Sequence, residues 1–223
     1  MTRDTYHSGD EADDRSLAAA AQAPGNRRTI ASYEQCAADY AQATSPKPGS
    51  EDRSALERFT EALPAKPLVL EIGSGPGWDA DWLEDRGAAV RRTDATEAFV
   101  AMQRARGACA ELLDAVTDEL GGPYSGVIAL YVFQHIDRPH LPAVLAKISG
   151  AIADGGVFLF SVRDGQGETV EHGSDGRTYY IAEWAKPELD AILGNLGFRE
   201  RWSDFRDDAE GCWLTILTIK EGR

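Results

Sequence analysis

Positions 68–77 of the chain read Leu-Val-Leu-Glu-Ile-Gly-Ser-Gly-Pro-Gly, and a helical pattern over residues 78–83 follows at once. The apolar run is typical of a buried parallel strand, because such a strand is covered on both faces. The glycines allow backbone angles and close approaches that a side chain would prevent. The segment therefore predicts a strand, a tight turn and a helix, with room for a ligand against bare N–H groups at the positive end of the helix.

The spacing of the glycines indicates which ligand this turn holds. They stand at positions 73, 75 and 77, whereas a dinucleotide-binding turn has the pattern Gly-x-Gly-x-x-Gly. Glu71 places a carboxylate at the end of the strand, where it would repel a pyrophosphate and attract an ammonium or a sulfonium. The pattern therefore disfavours a nicotinamide-dependent dehydrogenase.

Asp94 is a second acid at a strand end, after a short strand predicted over residues 88–93. An acid at this place can accept hydrogen bonds from both hydroxyls of a ribose. The alternative is an aspartate that stabilises the next turn or caps the next helix, which is common for this residue type.

The glycine turn, Glu71 and Asp94 together resemble the class I S-adenosylmethionine-dependent methyltransferases. The resemblance extends over roughly residues 30–220 and includes an ordered series of later segments. These are strands at 111–115, 126–130 and 157–161, a helix at 141–152 and a turn at 153–156. One departure is Gly126, where the family commonly has an acid.

The resemblance implies an α/β fold with a doubly wound, mostly parallel seven-stranded sheet, the Rossmann-like methyltransferase fold, whose last strand is antiparallel. Residues 198–205 and 212–219, separated by a turn-rich segment, predict a closing hairpin. We expect residues 1–28 to be a flexible tail with a short helix at 17–23, and residues 29–223 to form the methyltransferase domain. Within it, residues 29–63 would form a helical cap.

A long connection over residues 164–187 carries Tyr179, Tyr180 and Trp184. Segments of this kind beside a site often close over the substrate. A probable substrate lid is therefore one interpretation, and an ordinary mobile turn is the other.

The resemblance also implies the positions that contact S-adenosylmethionine. Gly73, Ser74 and Gly75 would approach its methionine part through backbone atoms, and Glu71 would lie near its ammonium. Asp94 would hold the ribose.

The other implied contacts come from several segments. Ala95 and Phe99 would flank the adenine, while the Asp114 side chain and the Ala115 backbone would read its edge, with Asp118 and Glu119 as competitors for the acid's role. The two remaining contacts would come from the carbonyl of Leu130, offered to the ammonium, and from Tyr33, near the methionine carboxylate. Tyr33 could instead only seal the core.

His135 and Tyr131 are the candidate catalytic residues, because both follow the fourth strand at the edge where ligands bind in open α/β sheets. His135 could act as general base near neutral pH, or it could be a structural residue that caps the next helix or braces the cofactor carboxylate. Tyr131 could orient the acceptor or pack against the cofactor. Trp78 could form a wall of the methyl pocket or pack under the N-terminal helix.

Composition restricts the partners. The 223 residues carry a net charge of −14, which disfavours a nucleic-acid substrate. Cys36, Cys109 and Cys212 are too scattered to predict disulfides or a metal site. With no apolar run long enough to cross a membrane and no secretory signal, we expect a cytoplasmic protein, monomeric or homodimeric, without a membrane partner.

These observations predict in-line methyl transfer from S-adenosylmethionine to an oxygen or nitrogen, less readily a carbon, of a small-molecule acceptor, with S-adenosylhomocysteine as product. No metal is required. Two alternatives stay open: a peptide or protein acceptor, and a binding module that holds the cofactor without turning it over.

Overall fold

The computed structural model describes residues 25–44, 46–173, 176–208 and 211–222. The short helix predicted at 17–23 and nearly all of the predicted tail lie outside the described residues. The first described helix begins at Gly25, so the last residues of the predicted tail are helical.

Helices and strands alternate along most of the chain. In order they are α1 (Gly25–Ala43), α2 (Ser50–Ala62), β1 (Leu68–Ile72), α3 (Trp78–Glu84), β2 (Ala89–Asp94), α4 (Glu97–Ala105), β3 (Ala110–Leu112), β4 (Tyr124–Ala129), a 3-10 turn (Phe133–His135), α5 (Leu141–Ala151), β5 (Ile152–Arg163), β6 (Gly167–His172), β7 (Thr178–Glu183), α6 (Lys186–Asn195), β8 (Phe198–Asp208) and β9 (Gly211–Lys220).

One sheet runs through the molecule. Strands β3, β2, β1, β4 and β5 lie side by side in that order and are parallel. The last strand, β9, inserts antiparallel against β5, and β8 pairs antiparallel with β9. This arrangement confirms the predicted Rossmann-like methyltransferase fold with its antiparallel last strand.

Among the described residues the sheet has nine strands, because a hairpin of β6 and β7 is added to the seven predicted. Part of the segment 164–187 is therefore regular structure, joined to β5 where Arg163 pairs with Glu183. Strand β6 escapes prediction because it is mostly exposed and lacks apolar alternation. The turn predicted at 153–156 is likewise absorbed into β5, which starts at Ile152.

The core has two layers, one on each face of the sheet. Leu70 and Phe158 point to the face covered by α5 and α6, while Val69 and Leu159 point to the face covered by α2 and α3. This alternation follows from the period of two in a strand. None of the described helices is long and apolar enough to span a bilayer.

Gly126 in β4 departs from the family pattern for a packing reason. A Cβ at this position would lie 2.7 Å from the Phe59 ring of α2 and 2.9 Å from Leu63. The glycine therefore lets α2 lie close against the sheet, beside the cleft at the carboxyl ends of the strands.

Candidate active site

The glycine turn between β1 and α3 has the positive φ angles that its glycines predict, but the expectation of bare N–H groups is wrong, because those of Ser74, Gly75 and Gly77 donate to Thr93, Asp94 and Ser74. Gly73 has a φ of +70°, and a Cβ there would lie 2.4 Å from Val132. Gly75 also has a positive φ, but a Cβ there would meet nothing within 4 Å. The backbone at Gly75 is thus open to a ligand, while Gly73 lets a neighbouring loop come close.

Gln103 supports this turn from behind. Its buried amide Nε2 donates to Ser74 Oγ at 2.6 Å and to the Gly75 carbonyl at 2.9 Å. The Ser74 hydroxyl therefore accepts a hydrogen bond within the support of the turn itself. Gln103 carried no signal in the sequence, because a glutamine in the middle of a helix is ordinary.

Asp94 lies at the end of β2 and holds the turn from the opposite side. One carboxylate oxygen accepts from Gly75 N–H at 2.7 Å and the other from Thr96 N–H at 2.8 Å. Burial raises the pKa of Asp94, and these two hydrogen bonds oppose the increase. Since a carboxylate has about four acceptor sites, Asp94 stabilises the turn and still offers lone pairs to a ligand.

Glu71 is the deepest acid of the site. Its side chain is buried, and Oε2 has no hydrogen-bond partner among the described residues. Burial, and then the negative charge of Asp79, raise the pKa of Glu71 well above its usual value. A buried acceptor without a partner is costly, so this carboxyl is suited to an ammonium supplied by a ligand.

A cavity of about 730 Å³, its open mouth included, lies beside these residues and under α1. The predicted positions in its wall are Tyr33, Gly73, Gly75, Asp94, Ala95, Phe99, Asp114, Ala115, Tyr131 and His135. Prediction missed others, namely Asn26, Thr29, Ile30, Tyr40, Ile72, Thr96, Leu113, Val116, Val132 and Ile136. Three predicted positions, Glu71, Ser74 and Leu130, are outside this wall.

Asp114 is better placed than its two competitors. It lines the cavity and accepts a hydrogen bond from Val116 N–H at 2.9 Å. Asp118 instead accepts from the Asp114 N–H at 2.9 Å and shapes the turn, and Glu119 is exposed.

A second cavity, of about 810 Å³ with its open mouth included, adjoins the first on the far side of the glycine turn. The two cavities share Tyr40, Gly73, Gly75 and Tyr131. The other lining residues of the second cavity are Thr44, Lys47, Pro48, Gly49, Asp52, Ser74, Pro76, Trp78 and Asp79. The site is thus a pair of connected spaces that meet at the open backbone of Gly75.

The comparisons with known proteins agree with this geometry. Residues 50–215 match the family model for a methyltransferase domain. The chain belongs to the S-adenosylmethionine-dependent methyltransferases. None of the curated protein sequences that were compared matches this methyltransferase.

Solved structures share the fold at low identity. The 1,6-didemethyltoxoflavin-N1-methyltransferase of Burkholderia thailandensis is 18% identical, with a TM-score of 0.66 over 99% of this chain and 94% of its own. The CcbJ methyltransferase of Streptomyces caelestis is 18% identical, with a TM-score of 0.69 over 86% and 98%. The magnesium protoporphyrin IX methyltransferase of Synechocystis is 17% identical, with a TM-score of 0.61 over 90% and 86%.

Helix α1 forms the roof of the first cavity of the methyltransferase. Tyr33 contacts the rings of Tyr40, Phe99 and Tyr179, with centroids 5.3 to 5.8 Å apart. Two acids that were not predicted anchor the helix. Asp137 accepts from the N–H groups of Gly25 and Asn26 at the start of α1, and Glu34 accepts from those of Glu97 and Ala98 at the start of α4.

His135 is held in one tautomer by its surroundings. Nδ1 lies 2.9 Å from the carbonyl oxygen of Tyr180, which can only accept, so Nδ1 carries the proton. Nε2 is then the acceptor and lies 3.3 Å from the Tyr33 hydroxyl. Burial lowers the pKa of His135 to about 4. The ring is therefore a weak base at neutral pH, and its geometry favours a structural role, in which Nε2 accepts from Gln134 at 3.1 Å and helps to position the Tyr33 hydroxyl.

Tyr131 separates the two cavities and has an unusual backbone, with a φ of +58°. Its hydroxyl donates to Asp52 at 2.6 Å and accepts from Arg206 at 3.0 Å. Burial, and then the charge of Asp52, raise the pKa of this phenol. A strained residue with a fixed, neutral hydroxyl is suited to orienting a ligand.

Trp78 combines both interpretations made from the sequence. Its indole Nε1 donates to Thr44 at the end of α1, 3.3 Å away, and the guanidinium of Arg106 lies 4.4 Å from its ring centroid. The same residue lines the second cavity.

Proposed function

We propose that this methyltransferase transfers the methyl group of S-adenosylmethionine to an oxygen or nitrogen atom of a small molecule. One observation carries the proposal: the Asp94 carboxylate and the open backbone at Gly75 line the first cavity, and Glu71, on the strand before this turn, keeps an oxygen without a partner among the described residues. Together they offer acceptors for a ribose and a carboxyl for an ammonium, two features that such a cofactor requires.

The cofactor would lie mainly in the first cavity, under α1. Glu71 would pair with its ammonium, with the Leu130 carbonyl as a second acceptor, and Asp94 would accept from the ribose hydroxyls. The adenine would lie between Ala95 and Phe99, with its edge against Asp114 and Ala115. Tyr33, positioned by His135, would lie near the methionine carboxylate.

The acceptor would enter through the second cavity, so that its nucleophile reaches the methyl group opposite the sulfur. The cofactor supplies an activated methyl group and a neutral leaving group. The protein therefore has to align the two reactants, which alone can lower the barrier by several kcal/mol. It also has to exclude water, a task for α1 and the aromatic rings beneath it.

A small acceptor is favoured over a peptide by the walls of this cavity. Thr44, Lys47, Pro48, Gly49 and Asp52 border it on one side, and Trp78 and Asp79 at the start of α3 border it on the other, around a space of about 810 Å³ with its open mouth included. Two structural neighbours are methyltransferases named for 1,6-didemethyltoxoflavin and magnesium protoporphyrin IX, which are small molecules as well. We also propose that Tyr179 in the hairpin β6–β7 helps to close the first cavity. Its ring centroid is 5.3 Å from that of Tyr33.

Calorimetry with S-adenosylhomocysteine tests the cofactor half of the proposal. We expect Asp94→Ala to lose about 1–3 kcal/mol of binding energy, because paired polar contacts are removed. The exposed Glu119→Gln is the control and should bind like the wild type. Equal binding by Asp94→Ala, or preference for NAD, would contradict the assignment.

Turnover is tested separately by incubation with methyl-labelled cofactor and a panel of small acceptors. Label transferred to a member of the panel separates an enzyme from a binding module. Label that reaches only added peptides would favour the peptide alternative.

A further inference from the structure

Asp79 is an acid of the second cavity to which the assignments above give no role. It follows Trp78 at the start of α3 and lies in the cavity wall beside Ser74 and Gly75. The side chain is partly buried. Among the described residues it has neither a hydrogen bond nor an ion pair, so its carboxylate depends on whatever fills the cavity.

The other charged groups around this cavity are differently placed. Asp52 of α2 accepts the Tyr131 hydroxyl and lies 3.6 Å from Arg206, which compensates its charge. Glu71 of β1 is buried beneath and lies outside the cavity wall. Lys47, from the segment between α1 and α2, contributes a positive charge to the lining. Asp79 is thus the acid of the lining whose charge the described residues leave uncompensated.

An uncompensated carboxylate in such a place is stabilised by a cation or by a proton. The cavity walls add three aromatic side chains, those of Tyr40, Trp78 and Tyr131. Aromatic faces attract organic cations through their quadrupole. An acceptor with a neutral hydroxyl would use neither feature fully, whereas a protonated amine would use both.

We propose that the second cavity binds a protonated organic amine as methyl acceptor, and that Asp79 pairs with the ammonium and removes its proton. This inference rests on the proposed function, which supplies the methyl donor. The N–H proton passes to a carboxylate oxygen of Asp79, and the freed lone pair forms a bond to the methyl carbon. The C–S bond breaks with its electron pair going to sulfur, which leaves a neutral thioether and a methylated ammonium.

The acid–base properties of Asp79 fit this step. Burial, and then the charge of Asp52, raise the pKa of Asp79 to about 7. A carboxyl with this pKa exchanges protons near neutral pH, which is where a general base is most effective. His135, with a pKa lowered to about 4 by burial, would be a much weaker base.

Benzylamine and benzyl alcohol are matched probes for the proposal, because they differ only in the group that would face Asp79. Wild type, Asp79→Asn and the control Asp85→Asn, an exposed acid directly after the same helix, are loaded with S-adenosylhomocysteine and titrated with each probe at about pH 8. We expect wild type and control to bind the amine about tenfold more tightly than the alcohol, and Asp79→Asn to lose this preference.

Labelled methyl transfer to benzylamine is the second measurement. Its rate should rise with pH through about 7 in the wild type and lose this rise in Asp79→Asn. Affinity for S-adenosylhomocysteine, measured first, should change by less than about twofold in Asp79→Asn, since the side chain is assigned to the acceptor.

Four results would overturn the proposal: no benzylamine binding to the loaded wild type, equal affinity for the two probes, an amine preference that survives Asp79→Asn, or a large loss of S-adenosylhomocysteine affinity in that variant. The last would place Asp79 at the cofactor instead. A wild type that does not bind S-adenosylhomocysteine at all would refute the proposed function itself, so the two failures are distinguishable.

Discussion

Replacing Glu71 by glutamine should have opposite effects on the empty and the loaded protein. Glu71 is buried, one of its oxygens has no partner, and its pKa is raised mainly by burial. Glutamine keeps the shape and removes the charge. In the empty protein the substitution removes the cost of a buried charge, about 1–3 kcal/mol, which corresponds to an increase in Tm of roughly 2–12 °C for a chain of this length.

The pH dependence of this effect has a definite sign. A raised pKa in the folded state means that the unfolded chain ionises first as the pH rises above 4.5, the ordinary value for Glu71. Wild type therefore loses stability relative to the variant as the pH increases, and the two should converge in acid.

Binding should move the other way. Without the carboxylate the ammonium of the cofactor loses a charge-assisted hydrogen bond worth about 1.5–3 kcal/mol, or roughly a 10- to 100-fold weaker Kd. Thermal unfolding at pH 5 and pH 8, with and without S-adenosylhomocysteine, measures both effects. Glu57→Gln, an exposed acid on α2, should change neither.

A lower Tm for empty Glu71→Gln at pH 8 would refute the electrostatic part of the reasoning. Unchanged S-adenosylhomocysteine affinity would refute the pairing with the ammonium. An increase in Tm on its own would leave a buried acid with no assigned ligand.

Three other substitutions test separate parts of the structure. Gly126→Ala should destabilise the fold by about 1–3 kcal/mol in urea unfolding, because its Cβ would lie 2.7 Å from the Phe59 ring, and Phe59→Leu should partly restore stability in the double variant. The pKa of His135 falls from 6.5 to about 4 on folding, so the wild type should lose roughly 1–2 kcal/mol between about pH 7 and pH 5, and His135→Gln should lose less in the same unfolding assay. Asp137→Ala should release the start of α1, at a cost of about 1–2 kcal/mol, seen as faster amide exchange in that helix and weaker S-adenosylhomocysteine binding; exchange as slow as in the wild type would contradict the anchoring role.

The sequence predicted those elements of the fold whose signals are local. The strand, turn and helix at positions 68–83 depend on a continuous apolar run and three glycines, and the structure has β1 and α3 there. Asp94 was recognisable because it follows the adjacent strand, and the carboxyl ends of parallel strands meet at one edge of a sheet.

What the sequence did not predict depends on contacts between distant segments. Strand β6 is defined by pairing with β7 and not by its own residues, which are largely polar and exposed. The weak basicity of His135 arises from burial, and its tautomer is fixed by the carbonyl of Tyr180, a residue 45 positions away. No local pattern contains either fact.

The division between the two cavities has the same origin. Apart from its roof of α1, most of the first cavity is lined by β-strand ends and the turns that follow them, so the order of motifs along the chain largely determines it. The second cavity is assembled from the end of α1, the start of α2, the start of α3 and Tyr131, which the chain brings together only through packing of the helices. Gly126 allows α2 to approach the sheet, and Asp52 on that helix then reaches the Tyr131 hydroxyl. Since we propose that the second cavity holds the acceptor, we expect substitutions at the helix–sheet contact to alter acceptor selectivity before they alter cofactor binding.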